Sequence, residues 1–132
     1  MLEIPALYCP FSPVPPHPEV DWLVAHAEGW ARAKGLLPNE TESTLRKVRS
    51  YCELAAACYP SAPISRLAPI CDYYSWLFFF DDVCENHSLQ GGAPAETCAL
   101  LRGVYGVLEG KDERGGPYEA FALALADIWL RI

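Results

Sequence analysis

From Ile64 to Glu85 the chain reads ISRLAPICDYYSWLFFFDDVCE, a stretch that is apolar on nearly all sides and ends in adjacent acids. Leu67, Ile70, Cys71, Tyr74, Leu77 and Phe78 recur at three- and four-residue intervals, which predicts a helix, with Pro63 suited to its first turn. A helix without a polar side must be surrounded by others, so this segment is expected at the centre of the fold. Asp81 and Asp82 directly follow Trp76, Leu77, Phe78, Phe79 and Phe80. Carboxylates in such surroundings are poorly solvated, so they either keep their protons or hold a cation.

The rest of the chain supplies the partner helices. From about His17 to Lys34, Val20, Leu23, Val24, Ala27, Trp30 and Ala31 keep helical spacing, and Gly35 closes the helix. A second helix is expected to start at Asn39, with Glu42 completing a capping box, and to stop at Pro60. Its buried face is read as Leu45, Val48, Cys52, Leu54, Ala55 and Cys58. After the loop SLQGGAP, the stretch AETCALLRGVYGVLEG reads as a fourth helix ending at Gly110. A charged turn, KDERGG, leads to a fifth helix opened by Pro117. In it Phe121, Leu125, Ile128, Trp129 and Ile132 stay periodic to the last residue without a cap, as though the chain stops within the helix. No strand periodicity or repeat appears. The expectation is therefore all-α, about five helices after a proline-rich arm over residues 1–17.

With 132 residues, 52% of them hydrophobic, the chain can build one compact core. Seventeen acidic against ten basic residues, a net charge of -7, argue against a nucleic-acid partner, which needs a concentrated basic face. No stretch approaches the roughly 20 apolar residues of a membrane span, and the N-terminus lacks signal-peptide features, so a cytoplasmic location is expected. The six cysteines contain no C-x-x-C pair and are read as reduced core residues, with a disulfide scaffold or zinc site the weaker alternative. His17, His26 and His87 read as surface residues, His87 in a loop after the acids.

Residues four apart share a helix face, so Asp81 and Glu85 point the same way while Asp82 is turned by about 100° toward a neighbouring element. Phe78 and Tyr74 continue that face, with Leu77 beside them. One face thus joins a pair of hard oxygen donors, suited to Mg²⁺, to an aromatic wall suited to an apolar tail or a carbocation. The bland alternative is a buried helix whose acids mark its solvated end.

The segment FFFDDVCE resembles the D-D-x-x-D/E aspartate-rich motif of class I terpene synthases, especially the microbial single-domain cyclases. The proline-rich arm, WARAKGLL and CYPSAPISRL are similar as well, and the likeness reaches the first half of such an enzyme. The resemblance implies a partial class I terpenoid synthase bundle and a Mg²⁺-dependent lyase that ionises a prenyl diphosphate, farnesyl diphosphate favoured, to a cation that cyclises. It implies Asp81 and Asp82 as catalytic residues: Asp81 as the principal Mg²⁺ ligand, with Glu85 an additional or water-mediated one, and Asp82 as a partner that senses closure by bonding a basic residue elsewhere. Phe78, Leu77 and Tyr74 would contour the cavity, and three Mg²⁺ ions would act in a complete enzyme.

The family's second metal motif, N-D-x-x-S-x-x-x-E, does not follow Asn86, and Asn39, Ser43 and Lys47 only imitate its spacing, with a cation where a carboxylate belongs. The diphosphate-sensing arginine has no counterpart either, and Arg102, Arg114 and Arg131 read as surface charge. The implied chain is therefore truncated, inactive alone, and left with an apolar surface for self-association or a missing C-terminal half. A chain-elongating prenyltransferase fits less well, because no arginine follows the acids. A non-catalytic helical interaction module, with Trp22, Trp30, Trp76 and Trp129 as core or interface, is the reading from another class.

Overall fold

The computed structural model describes residues 12, 15–37, 40–89, 94–111 and 118–132. They form five helices: α1 (Val20–Ala33), α2 (Glu42–Cys58), α3 (Ile64–Leu89), α4 (Pro94–Leu108) and α5 (Glu119–Trp129). No strand occurs among the described residues, so the all-α expectation holds. None of the described helices is long and apolar enough to cross a membrane. Most of the arm, Asn39, Arg114, Pro117 and most of the two predicted loops lie outside the described residues.

α3 is central, in contact with all four other helices. Leu67, Cys71, Trp76 and Phe79 point into a core shared with Leu23, Ala27 and Ala31 of α1, Val48, Cys52 and Ala55 of α2, and Ala124, Leu125 and Ile128 of α5. The small residues let the helices approach closely, and the Trp76 indole spans the remaining space, donating from Nε1 to the Phe121 carbonyl at 2.8 Å. α3 is nevertheless not enclosed: Leu77 stays 38% exposed, and Asp81 and Glu85 are exposed beyond it.

Helix ends follow local chemistry. Gly35 and Gly110 take positive φ, 71° and 72°, and end α1 and α4 as expected, with Leu36 donating back to the Ala31 carbonyl and Lys111 to that of Gly106. α2 starts later than the capping-box reading places it. Thr41 is the cap, its hydroxyl accepting from the Thr44 amide at 3.2 Å, so Glu42 is the first helical residue. α3 runs on to Leu89, which puts His87 on the helix instead of in a loop. α5 does not continue to the last residue: it ends at Trp129, and Arg131 and Ile132 turn back to bond the Ile128 carbonyl.

Several polar and sulfur residues differ from their sequence reading. His17 is buried, because its Nδ1 accepts from the Glu19 amide while Nε2 meets the Ala62 carbonyl at 3.0 Å. His26 stacks on Trp22 and reaches Asp72 Oδ2 at 3.1 Å, a pairing across 46 residues that no local pattern announces. Arg131 is not plain surface charge. Its guanidinium bonds Asp72 at 2.8 Å and Asp127 at 2.7 Å and lies over the Trp30 ring. Cys52 and Cys71 are buried and free as expected, but Cys58 and Cys98 are exposed, since α2 and α4 each turn one side to solvent. Leu54 is exposed for the same reason.

Candidate functional site

The acidic end of α3 is positioned by the rings before it. Trp76 stacks on Phe80 at 5.0 Å, Phe80 meets Phe121 edge-on at 6.1 Å, and buried Phe79 meets Tyr51 edge-on at 5.9 Å. These contacts fix the rotation of α3 and therefore the directions of the acids one turn later. On another side, Phe78 stacks on Tyr51 at 4.4 Å and meets Tyr74 edge-on at 6.4 Å. Tyr74, Leu77, Phe78, Asp81 and Glu85 thus share one side of α3, with Phe78 and Tyr74 half-buried and the other three exposed.

Asp82 is turned away from that side. Its Oδ2 accepts from Lys47 Nζ of α2 at 2.5 Å, a pair bridging 35 residues. Hydrogen bonding to Asp82 pushes the Lys47 ammonium above its ordinary value, and the charge of Glu85 adds to the effect. Burial is the first cause that pushes the Tyr51 phenol up, followed by the charges of Asp82 and Asp81, with Lys47 opposing. Lys47 and Tyr51, one turn apart on α2, therefore flank the acids. Neither was singled out as a site residue from sequence: Lys47 figured there only as the cation that spoils a second metal motif.

A cavity of about 540 Å³ opens on the Asp82 side, lined by Leu36, Thr44, Lys47, Phe79, Tyr118 and Phe121 among others. Asp81, Glu85, Phe78, Leu77 and Tyr74 do not line it; on their side Leu77, Asp81 and Glu85 are exposed, while Tyr74 is half-buried against the core and Phe78 lies against Tyr51 of α2. Among the described residues, no group of three or more His, Cys, Asp or Glu side chains converges as a metal cluster. The donor chemistry still suits Mg²⁺, which takes carboxylate oxygens, keeps several waters and commonly binds through one or two carboxylates plus substrate phosphates.

No protein-family model matches the chain. Against individual proteins, it is 57% identical over 127 residues to the 10-epi-cubebol synthase of Sorangium cellulosum (strain So ce56), covering 96% of this chain and 40% of that enzyme. The chain is homologous to class I bacterial terpene synthases. A pentalenene synthase of Streptomyces avermitilis is 33% identical over 121 residues, covering 90% of this chain and 35% of the enzyme. The 4-epi-cubebol synthase ((2E,6E)-farnesyl diphosphate cyclizing) of Streptosporangium roseum is 33% identical over 133 residues, covering 99% and 38%. The chain therefore spans about two fifths of the length of the terpene synthases it matches.

A second polar cluster lies away from the acids. Asp72 is fully buried, its Oδ2 shared by His26 and Arg131, while Oδ1 has no hydrogen-bond partner among the described residues. Burial pushes its carboxyl above the usual range, and Arg131 and His26 pull the other way. The network ties α1, α3 and the turn after α5 together, which gives it a structural role in holding α3 at its rotation.

Proposed function

We propose that this chain is the N-terminal part of a Mg²⁺-dependent terpene cyclase whose substrate is a prenyl diphosphate, with farnesyl diphosphate favoured. The observation that carries this reading is 57% identity to a terpene synthase in a chain whose D-D-x-x-E acids stand at the open end of an aromatic helix. The choice of farnesyl diphosphate leans on the Streptosporangium roseum relative, a (2E,6E)-farnesyl diphosphate cyclizing synthase.

In this reading Asp81 and Glu85 bind divalent metal with their carboxylate oxygens, and Asp82 takes no direct part because Lys47 holds it to α2. Bound metal would supply charge neutralisation that turns the diphosphate into a leaving group. Phe78 and Tyr74 present ring faces, and Leu77 an aliphatic edge, along which a prenyl chain can lie and a developing cation is stabilised. Phe78 is held in place by stacking on Tyr51, so the wall is preorganised.

Among the described residues, the chain offers one wall and two donors. Exposed Leu101, Tyr105, Leu108, Trp129, Leu130 and Ile132 leave apolar surface for a C-terminal half or a second copy, and this surface also favours the runner-up reading, a non-catalytic helical module. Thermal melting with Mg²⁺ and inorganic pyrophosphate separates the two. The synthase reading expects stabilisation that requires both ligands and vanishes in Asp81→Ala/Glu85→Ala; an unchanged response in that variant favours the module. Incubation with farnesyl diphosphate and Mg²⁺ is expected to give no cyclic hydrocarbon by mass spectrometry, and its appearance would show that the chain suffices for turnover.

A further inference from the structure

We propose that Lys47 is a resident counter-ion that competes with divalent metal for the acidic end of α3, making metal capture depend on arrival of an anionic head group. This role rests on the proposed Mg²⁺ site. Lys47 comes from α2, and its ammonium sits 2.5 Å from Asp82 Oδ2, next along the chain to Asp81 and within electrostatic reach of Glu85. Its helix is held there: Tyr51, one turn on, stacks on Phe78 at 4.4 Å and meets Phe79 edge-on, so the α2 face bearing Lys47 lies along the last turns of α3.

A cation so placed lowers the negative potential that two or three adjacent carboxylates would otherwise present to a metal ion. Without it, the unpaired charge of Asp82 would add to those of Asp81 and Glu85 and draw divalent cations to that pair whether or not substrate was present. With it, one carboxylate is neutralised, and the remaining pair is left to a metal that brings phosphate oxygens of its own. The effect is moderate, because Lys47 and Asp82 are 45% and 38% exposed and solvent screens them. Lys47 is thus a positioning residue, acting on the metal through Asp82.

The test measures Mn²⁺ affinity of the chain without diphosphate, at fixed ionic strength, from the electron paramagnetic resonance signal of the free ion. Lys47→Met keeps the aliphatic stem and removes the charge, and is expected to bind Mn²⁺ about threefold more tightly, the size a screened surface pair supports. Lys47→Arg should match the wild-type chain. Arg46→Met, which changes net charge equally at a side chain paired with Glu42 instead, should also match it. The role is overturned if Lys47→Met binds no more tightly than wild type, or if Arg46→Met reproduces the gain. Absence of Mn²⁺ binding in every variant without diphosphate would overturn this role, whereas absence that persists after inorganic pyrophosphate is added would overturn the metal site itself.

Discussion

Replacing Arg131 by Met tests the polar network that fixes α3. Asp72 is fully buried and already has one unpartnered oxygen, so the variant leaves a buried carboxylate with the His26 imidazole as its remaining partner. Breaking a buried ion pair from one side costs roughly 3–5 kcal/mol. Arg131 keeps 31% exposure, so water can partly replace the guanidinium and about 2 kcal/mol is expected. At about 4 °C per kcal/mol for a domain of this size, Tm should fall by about 8 °C. Loss of Arg131 also removes its bond to Asp127 and its contact with Trp30, so the single variant does not isolate Asp72. The double variant Asp72→Asn/Arg131→Met does, because an amide leaves no stranded charge, and it should recover at least half of the loss. Circular dichroism melts of the three chains decide the matter. A single variant melting within about 2 °C of wild type, or a double variant no more stable than the single, would refute the reasoning.

Thr41→Ala removes the hydroxyl that accepts from the Thr44 amide and should cost about 1 kcal/mol in urea unfolding, whereas an N-cap at Asn39 would make the change nearly silent. Peptide-level thiol labelling of the native chain should modify Cys58 and Cys98 quickly and Cys52 and Cys71 only on unfolding. Asp127 supplies a pH dependence. Burial alone would raise its carboxyl, but hydrogen bonds from Lys34 and Trp30 and the charge of Arg131 hold it below the usual range. A carboxyl lowered by folding stabilises above its unfolded value, about 3.9, and that contribution fades as pH falls through the folded value. Asp127→Asn should therefore flatten the stability loss below about pH 4 in a series of melts, and an unchanged acid limb would contradict the assignment.

Most of the helices were legible because their causes are local. The three- and four-residue spacing of Leu23, Ala27 and Ala31, the two positive-φ glycines and the apolar run before Asp81 each act within a few residues, and the helix bodies followed them. The second helix start was misplaced for the same reason, since Asn39 and Thr41 are both competent caps and the chain uses the later one. The candidate site was legible only in part. Helical spacing put Asp81, Glu85, Phe78 and Tyr74 on one side, and turned Asp82 from them, but nothing in the sequence said which basic residue Asp82 would meet. Lys47 is 35 residues away, His26 and Arg131 are 46 and 59 residues from Asp72, and such pairings depend on how whole helices dock. The exposed side has the same origin: α3 is apolar all round, yet the described helices cover only part of it.

The claim on which the functional account depends is that the Asp81–Glu85 side of α3 takes a divalent metal together with a diphosphate. Amide resonances of a ¹⁵N-labelled chain titrated with Mn²⁺ and inorganic pyrophosphate test it directly. The account predicts paramagnetic broadening centred on residues 78–85 that appears at lower Mn²⁺ when pyrophosphate is present and disappears in Asp81→Ala/Glu85→Ala. Broadening spread over other acids of the surface, or centred on the far side of α3 and indifferent to pyrophosphate, would contradict it.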